Sequence, residues 1–192
     1  TVFFLTVVGT LLYVAWDWNY DAKIIPVIVG VGRMDQMVQF SAFELFFRPW
    51  MSMRIDAVRM TGLPAGLPPD RPILLAPNHV SWWDGFVLRE IHRRLRPAAP
   101  LRVVMTEAEL RRNPVLGWIA AVPMQRGSAS SVLATFRRLR RLREERPDAV
   151  VLFFPQGRIW PSQRRPLGFE RGVSTLARTL APVQVLPVGL HM

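Results

Sequence analysis

The sequence contains no cysteine, and only one of its 25 basic residues, Lys23, is a lysine. Without cysteine the chain can form neither disulfides nor thiolate metal sites, and it has no thiol that could carry an acyl group. With a single lysine, the formal charge of +11 comes from arginine, whose planar guanidinium suits phosphate. That charge reflects either arginine-rich codon usage or an anionic partner, such as a phospholipid surface, a phosphorylated substrate or nucleic acid.

Charged residues are also scarce at the start of the chain. Residues 1–53 carry three basic and four acidic groups, a net charge of −1, whereas residues 54–192 carry 22 and 10, a net charge of +12. Residues 1–16 have no charged side chain, yet they fall short of the about 20 apolar residues that usually span a bilayer. The apolar run "IIPVIVGVG", residues 24–32, is broken by Pro26 and two glycines. No basic segment or small-residue cleavage site indicates a signal peptide.

We interpret residues 1–53 as an N-terminal hydrophobic, membrane-anchoring segment of helical structure that lies in one leaflet. Trp16, Trp18 and Tyr20 would lie near the headgroups, where aromatic rings are favoured. Two alternatives remain open, a buried core helix and a transmembrane span whose first residues precede Thr1. We expect the protein at the cytoplasmic face of a membrane, that of a bacterial inner membrane, where anionic lipids would meet the basic part of the chain.

From residue 54 onward, short apolar runs alternate with segments of helical periodicity. In residues 131–145 apolar side chains recur every three or four positions, which indicates a helix that Ser130 or Ser131 can cap. Such alternation is typical of an α/β fold with a mixed, partly parallel sheet flanked by helices. We expect one such domain over residues 54–192, and whether its C-terminal end is truncated stays open. The strands are expected in the runs "ILLA" (73–76), "RVVM" (102–105), "AAVPM" (120–124), "VVLFF" (150–154) and "VQVLPVGL" (183–190).

His79, one of three histidines, lies between a strand-like run and a helix-compatible segment, residues 82–96. Ligands of α/β folds bind at such strand-to-helix junctions. Asp84, five positions on, can accept a hydrogen bond from one ring nitrogen, which fixes the tautomer and leaves the other nitrogen to act as a base. A buried structural histidine is the alternative. His92 and His191 lack a carboxylate cluster that would complete a metal shell, so no metal site is expected.

A nucleophilic side chain of the protein is not indicated. The nucleophile elbow G-x-S-x-G of serine hydrolases is absent, and "RGSASS", residues 126–131, has the composition of a helix start. A histidine–aspartate pair would then deprotonate a hydroxyl of the substrate rather than a serine of the protein.

Four blocks of sequence, in order, resemble those of the glycerolipid or lysophospholipid acyltransferase family, to which 1-acylglycerol-3-phosphate acyltransferases belong. The resemblance covers roughly residues 55–190. The first block is similar to N-H-x-x-x-x-D, the third to F-P-E-G-T-R, and the segment after the third to F-x-R-G. The first three blocks are "NHVSWWD" (78–84), "AVPMQRG" (121–127) and "LFFPQGR" (152–158). The segment after the third block is "GFERG" (168–172), and the fourth block is "VLPVGL" (185–190).

The resemblance implies a membrane-associated O-acyltransferase that moves a fatty acyl chain from acyl-CoA or acyl-carrier protein to a lipid hydroxyl, with no cofactor and no metal. His79 would be the general base, Asp84 would orient it, and backbone N–H groups would bind the tetrahedral oxyanion. The family's acceptor is lysophosphatidate or another lysophospholipid, whose phosphate arginines would bind. The residues that the resemblance assigns to substrate binding are Asn78, Arg126, Gln156, Gly157, Arg158 and Arg171.

The third block departs from the family pattern. Gln156 stands where the family has glutamate, and Arg158 follows Gly157 directly, so Ile159 occupies the position of the family's arginine. A glycosylated lipid such as a carotenoid glycoside is therefore an alternative acceptor, and a lipid-binding relative without activity is a further alternative. From another class, an arginine-rich nucleic-acid-binding membrane protein would explain the charge but not the ordered blocks, so we expect no nucleic-acid partner.

Overall fold

The computed structural model describes residues 45, 49, 52, 53, 55, 57–113, 116 and 121–191. The anchor predicted over residues 1–53 lies almost wholly outside the described residues, and it stays a prediction. No helix within these described ranges is long and apolar enough to cross a bilayer.

Strands and helices alternate through the basic part of the chain. Each of the five apolar runs expected to form a strand overlaps one, so that part of the prediction is confirmed. In chain order the elements are β1 Ile73–Pro77, α1 Asp84–Leu95, β2 Leu101–Thr106, α2 Glu107–Arg112, β3 Ala121–Met124, α3 Ala129–Glu145, β4 Val150–Leu152, α4 Gly172–Thr179 and β5 Gln184–Val188.

The five strands form one sheet in the order β3-β2-β4-β1-β5. All four pairings are parallel, with Ile73 of β1 opposite Val150 of β4 on one side and Gln184 of β5 on the other. The expectation of a mixed, partly parallel sheet was therefore wrong, although the α/β class is confirmed. The physical reason lies in the connections. Each contains a helix, which carries the chain back to the same edge of the sheet before the next strand begins.

Helices cover both faces of the sheet. Ile73 and Leu75 of β1 belong to a buried cluster with Leu88 and Ile91 of α1. Leu74, which points to the opposite face, belongs to a second cluster with side chains of α3 and α4. A strand covered on both faces needs an unbroken apolar run rather than an alternating one, and this accounts for the "ILLA" sequence of β1.

Helix α3 begins earlier than its apolar periodicity indicated. Ser128, in an extended backbone conformation, accepts a hydrogen bond through its hydroxyl from the Ser131 N–H at 3.3 Å. Ser128 is therefore the N-cap, and the prediction of Ser130 or Ser131 was wrong. The reason is that Ser130 and Ser131 already have helical backbone in the first turn, where a side chain cannot cap the helix. The cap lies two residues after Arg126 and fixes the start of α3 at Ala129.

Candidate active site

The histidine–aspartate pair predicted from the sequence is formed in the loop between β1 and α1. The His79 Nδ1 atom lies 2.7 Å from the Asp84 Oδ2 atom. Because an ionised carboxylate only accepts hydrogen bonds, Nδ1 carries the proton of the neutral ring and Nε2 keeps a lone pair. The Asp84 side chain is fully buried, whereas 22% of the His79 side chain is exposed. The pair therefore has a protected carboxylate and an accessible imidazole.

Three further donors hold the Asp84 carboxylate in place. Its Oδ2 atom also accepts hydrogen bonds from the Val80 N–H at 2.6 Å and the Ser81 N–H at 3.0 Å, and its Oδ1 atom accepts one from the Ser81 hydroxyl at 2.9 Å. Burial alone would raise the pKa of Asp84, but the hydrogen bonds from His79, Ser81 and Val80 together lower it below its usual value. Asp84 is therefore ionised at neutral pH.

The imidazole of His79 is also fixed from the loop that follows β4. Its ring stacks on Phe154, with 4.1 Å between centroids and 27° between the ring planes. The His79 N–H donates to the Gln156 side-chain carbonyl, and the His79 carbonyl accepts a hydrogen bond from the Trp160 N–H at 2.7 Å. His79 is thus held on both its ring and its backbone by residues far away in the sequence.

Gln156 is a buried bridge between two segments. Its Oε1 atom accepts from the His79 N–H, and its Nε2 atom donates to the Leu167 carbonyl at 2.6 Å. Only 3% of the residue is exposed. A glutamate, as the family has here, could accept from His79 but could not donate to Leu167 when ionised. The amide at this position therefore suits the path of this particular loop.

A cavity of about 580 Å³ opens beside His79. A volume of this size is typical of sites for small molecules. Three of its polar lining residues, His79, Arg126 and Arg158, each follow the carboxyl end of a strand, the edge at which parallel sheets bind ligands. Most of the remaining lining is apolar and includes Phe86, Val104, Met105, Met124, Phe136 and Phe153. The cavity thus combines an apolar interior with a base and cations.

Arg126 lies at this cavity with both terminal nitrogens of its guanidinium engaged. Nη1 donates to the Gly157 carbonyl at 2.8 Å, and Nη2 forms an ion pair with the Glu170 carboxylate. A Cβ atom on Gly157 would lie 2.7 Å from Nη1, and the backbone of Gly157 has a φ of +61°. Glycine suits this position, because another residue would be strained at this φ and its Cβ atom would displace the guanidinium.

Arg158 lines the same cavity and stacks on an aromatic ring. Its guanidinium carbon lies 4.1 Å from the centroid of the Trp160 ring, and that of Arg164 lies 4.2 Å from the same centroid. Both distances are within the range of a cation–π interaction. The structure therefore places both arginines predicted for the acceptor at one cavity.

Asn78 and Arg171 lie apart from the cavity lining. The Asn78 amide exchanges two hydrogen bonds with the backbone of Leu190, at 2.9 Å and 2.6 Å, and so joins the end of β1 to the segment after β5. Arg171 is exposed and occupies the N-cap position of α4. Their predicted roles in substrate binding stay predictions.

Sequence reasoning passed over three residues of the site, Ser81, Phe154 and Glu170. Ser81 lies inside the first block, and a small hydroxyl residue three positions before a buried helix-start aspartate is a recognisable partner for it. Glu170 lies inside the "GFERG" stretch, where its negative charge among arginines was the available signal. Phe154 gave no signal beyond an apolar run.

Comparison with known families agrees with these features. The model of the family described as Acyltransferase matches residues 57–191, well over half of the chain. No match was found among curated proteins.

Proposed function

Because the chain belongs to the acyltransferase family, we propose that it is an O-acyltransferase that moves a fatty acyl group from a thioester to a lipid hydroxyl. The donor would be acyl-CoA or acyl-carrier protein. The observation that carries the proposal is the ordered His79–Asp84 pair beside a large, mainly apolar cavity. The pair would supply a base, and the mainly apolar lining of the cavity would suit an acyl chain.

The chemistry needs only one proton carrier. His79 Nε2 takes the proton of the acceptor hydroxyl as its oxygen attacks the thioester carbonyl. The tetrahedral oxyanion then collapses, the carbon–sulfur bond breaks, and the thiolate leaves with the proton that His79 had taken. Asp84 stabilises the imidazolium between these two steps, because it is ionised and in direct contact with Nδ1. No covalent enzyme intermediate is required.

The acceptor that the site fits best is a lysophospholipid such as lysophosphatidate. The support is that Arg126 and Arg158 line the cavity together with His79, so that one acceptor could place its phosphate at the guanidinium groups and its hydroxyl towards the base. Arginine binds phosphate through paired, charge-assisted hydrogen bonds. One observation favours a second candidate, a neutral glycolipid, since Arg126 already has the Glu170 carboxylate as a partner.

We further propose that the reaction takes place at an anionic membrane surface on the cytoplasmic side. The support is the apolar segment of residues 1–53 and the net charge of +12 on residues 54–192. A nucleic-acid-binding function would use the same charge but would leave the histidine–aspartate pair and the apolar cavity without a role.

The proposal is tested by supplying labelled acyl-CoA with a panel of lysophospholipids and neutral glycolipids and separating the products by thin-layer chromatography. We expect a labelled diacyl product with the wild type and none with His79→Ala. His191→Ala is the matched control, because it also removes an imidazole but changes an exposed residue outside the cavity lining. Wild-type turnover by folded His79→Ala would refute the mechanism.

A further inference from the structure

The geometry points to Glu170 as a built-in anion that an acceptor phosphate must displace from Arg126, so that Glu170 sets the selectivity between phosphate-bearing and neutral acceptors. This inference rests on the proposed function, since it concerns the acceptor of the same reaction. It assigns a role to a residue that touches the guanidinium and lines the cavity.

Glu170 is held where its carboxylate meets Arg126. Its backbone N–H donates to the Pro155 carbonyl at 3.0 Å, which ties it to the loop that also carries Gly157. Arg126 is fixed from the other side by the Gly157 carbonyl at 2.8 Å. The ion pair therefore does not depend on two mobile side chains meeting by chance, because both partners are positioned by the loop after β4.

The ion pair occupies the part of Arg126 that a phosphate would need. With Nη1 on a backbone carbonyl, Nη2 is the terminal nitrogen that faces the carboxylate. A phosphate approaching the same edge of the guanidinium would meet the negative charge of Glu170 at short range. Two anions cannot share this edge without repulsion, so Glu170 must turn away when a phosphate binds.

Glu170 is able to turn away. The side chains of Arg126 and Glu170 are 44% and 55% exposed, so the pair is screened by water and contributes little net free energy. A phosphate can therefore displace Glu170 at a small cost in binding free energy. An uncharged acceptor meets no such competition, because it does not need the arginine. Glu170 should thus lower the affinity for phosphate-bearing acceptors relative to that for neutral ones.

The test measures phosphate binding without catalysis. Glycerol 3-phosphate, a soluble probe of the acceptor headgroup, is titrated by calorimetry into the full chain and into Glu170→Gln. The variant keeps the shape of the side chain and loses its charge. We expect it to bind the probe about 3- to 10-fold more tightly at low ionic strength, an advantage that should shrink with added salt. The ratio of kcat/KM for lysophosphatidate to that for a monoacylglycerol should rise by a similar factor.

Glu144→Gln is the matched control. Glu144 forms an exposed ion pair with Arg140 near the end of α3. The substitution removes the same charge as Glu170→Gln, but about 24 Å along the helix from the cap at Ser128. Equal affinities in wild type and Glu170→Gln would overturn the inference, and so would weaker binding in the variant or the same gain in Glu144→Gln. Tighter binding by Glu170→Gln in a protein that acylates no lipid would uphold the competition between Glu170 and phosphate for Arg126 but refute the proposed function.

Discussion

Replacing Asp84 with asparagine removes the charge of the pair, and the surrounding donors dictate how the new amide is oriented. The Oδ2 position accepts hydrogen bonds from His79 Nδ1 and from the backbone N–H groups of Val80 and Ser81, whereas the Oδ1 position faces only the Ser81 hydroxyl. An NH₂ group in the Oδ2 position would oppose three donors. The amide oxygen must therefore take that position, and the Ser81 hydroxyl can rotate to accept from the NH₂ group. The proton stays on Nδ1, and the tautomer of His79 is preserved.

The expected loss of rate is then electrostatic only. Hydrogen bonds to charged groups contribute about 1.5–3 kcal/mol and neutral ones about 0.5–1.5 kcal/mol, so the imidazolium loses about 1–1.5 kcal/mol of stabilisation. At about 1.4 kcal/mol for each factor of ten, this is roughly 5- to 10-fold in rate. The wider Coulomb attraction between two unit charges, about 4 kcal/mol at 4 Å near a protein surface before desolvation is subtracted, can raise it toward about 100-fold. By contrast, an aspartate-to-asparagine change that leaves the histidine of a catalytic triad in the wrong tautomer lowers kcat by about 10⁴-fold.

Single-turnover acyl transfer gives the rate, and ¹⁵N spectra of the imidazole give the tautomer. We expect a proton on Nδ1 in both proteins. A loss of about 10⁴-fold in the rate of folded Asp84→Asn with the proton on Nε2 would refute the reasoning.

Unfolding by acid tests the charge of Asp84 independently. Because the folded-state pKa of Asp84 lies below the usual 3.8, the wild type should lose stability relative to Asp84→Asn only as the pH falls below 3.8 and through that lower pKa.

Two further predictions concern the loop after β4 and the start of the chain. Gln156→Glu, which introduces the residue of the family, should destabilise the protein by about 1–3 kcal/mol at neutral pH, because the buried carboxylate would face the partly buried Leu167 carbonyl. Urea unfolding at neutral and acid pH measures this, and the exposed Gln163→Glu serves as the control; equal stability of the two variants would contradict it. Deleting residues 1–53 should release the protein from anionic vesicles in a sedimentation assay at high salt, which screens the attraction of the +12 charge on residues 54–192 to the lipid. Full sedimentation of the truncated chain under these conditions would show that the anchor lies elsewhere.

The strands could be predicted from the sequence because a sheet covered on both faces requires continuous apolar runs. Their order could not, since pairing depends on contacts between distant segments. β1 pairs with β4 and β5, and its nearest strand in sequence, β2, is not its neighbour in the sheet. The sheet was expected to be only partly parallel, because a run of apolar residues does not show in which direction the strand runs relative to its neighbours. The cap of α3 was misplaced by two or three residues because three nearby serines offer similar side chains, and only the backbone conformation selects Ser128.

The site divides in the same way into local and long-range parts. His79 and Asp84 lie five residues apart, so one turn of the chain brings them together, and the spacing together with the resemblance of the first block predicted the contact. Arg126, Gly157 and Glu170 come from the ends of β3 and β4 and from the segment before α4. The sequence blocks indicated that Arg126 and Gly157 belonged to the site, but not that Glu170 did or that it pairs with the arginine. That pairing depends on the fold.

The orientation of the His79 ring depends on both the local and the long-range part of the site. The local pair fixes which nitrogen of His79 carries the proton, but the direction of the ring depends on the loop after β4, through the stacking of Phe154 and the hydrogen bond to Gln156 across 77 residues of sequence. The same loop carries the Gly157 carbonyl that seats Arg126. A shift of this loop would therefore move the base and the cation together. The unusual glutamine of the third block is consistent with that coupling, because its two hydrogen bonds join the base to the far end of the loop at Leu167. The glutamine thus changes how the loop is held and leaves the contact between His79 and Asp84 in place.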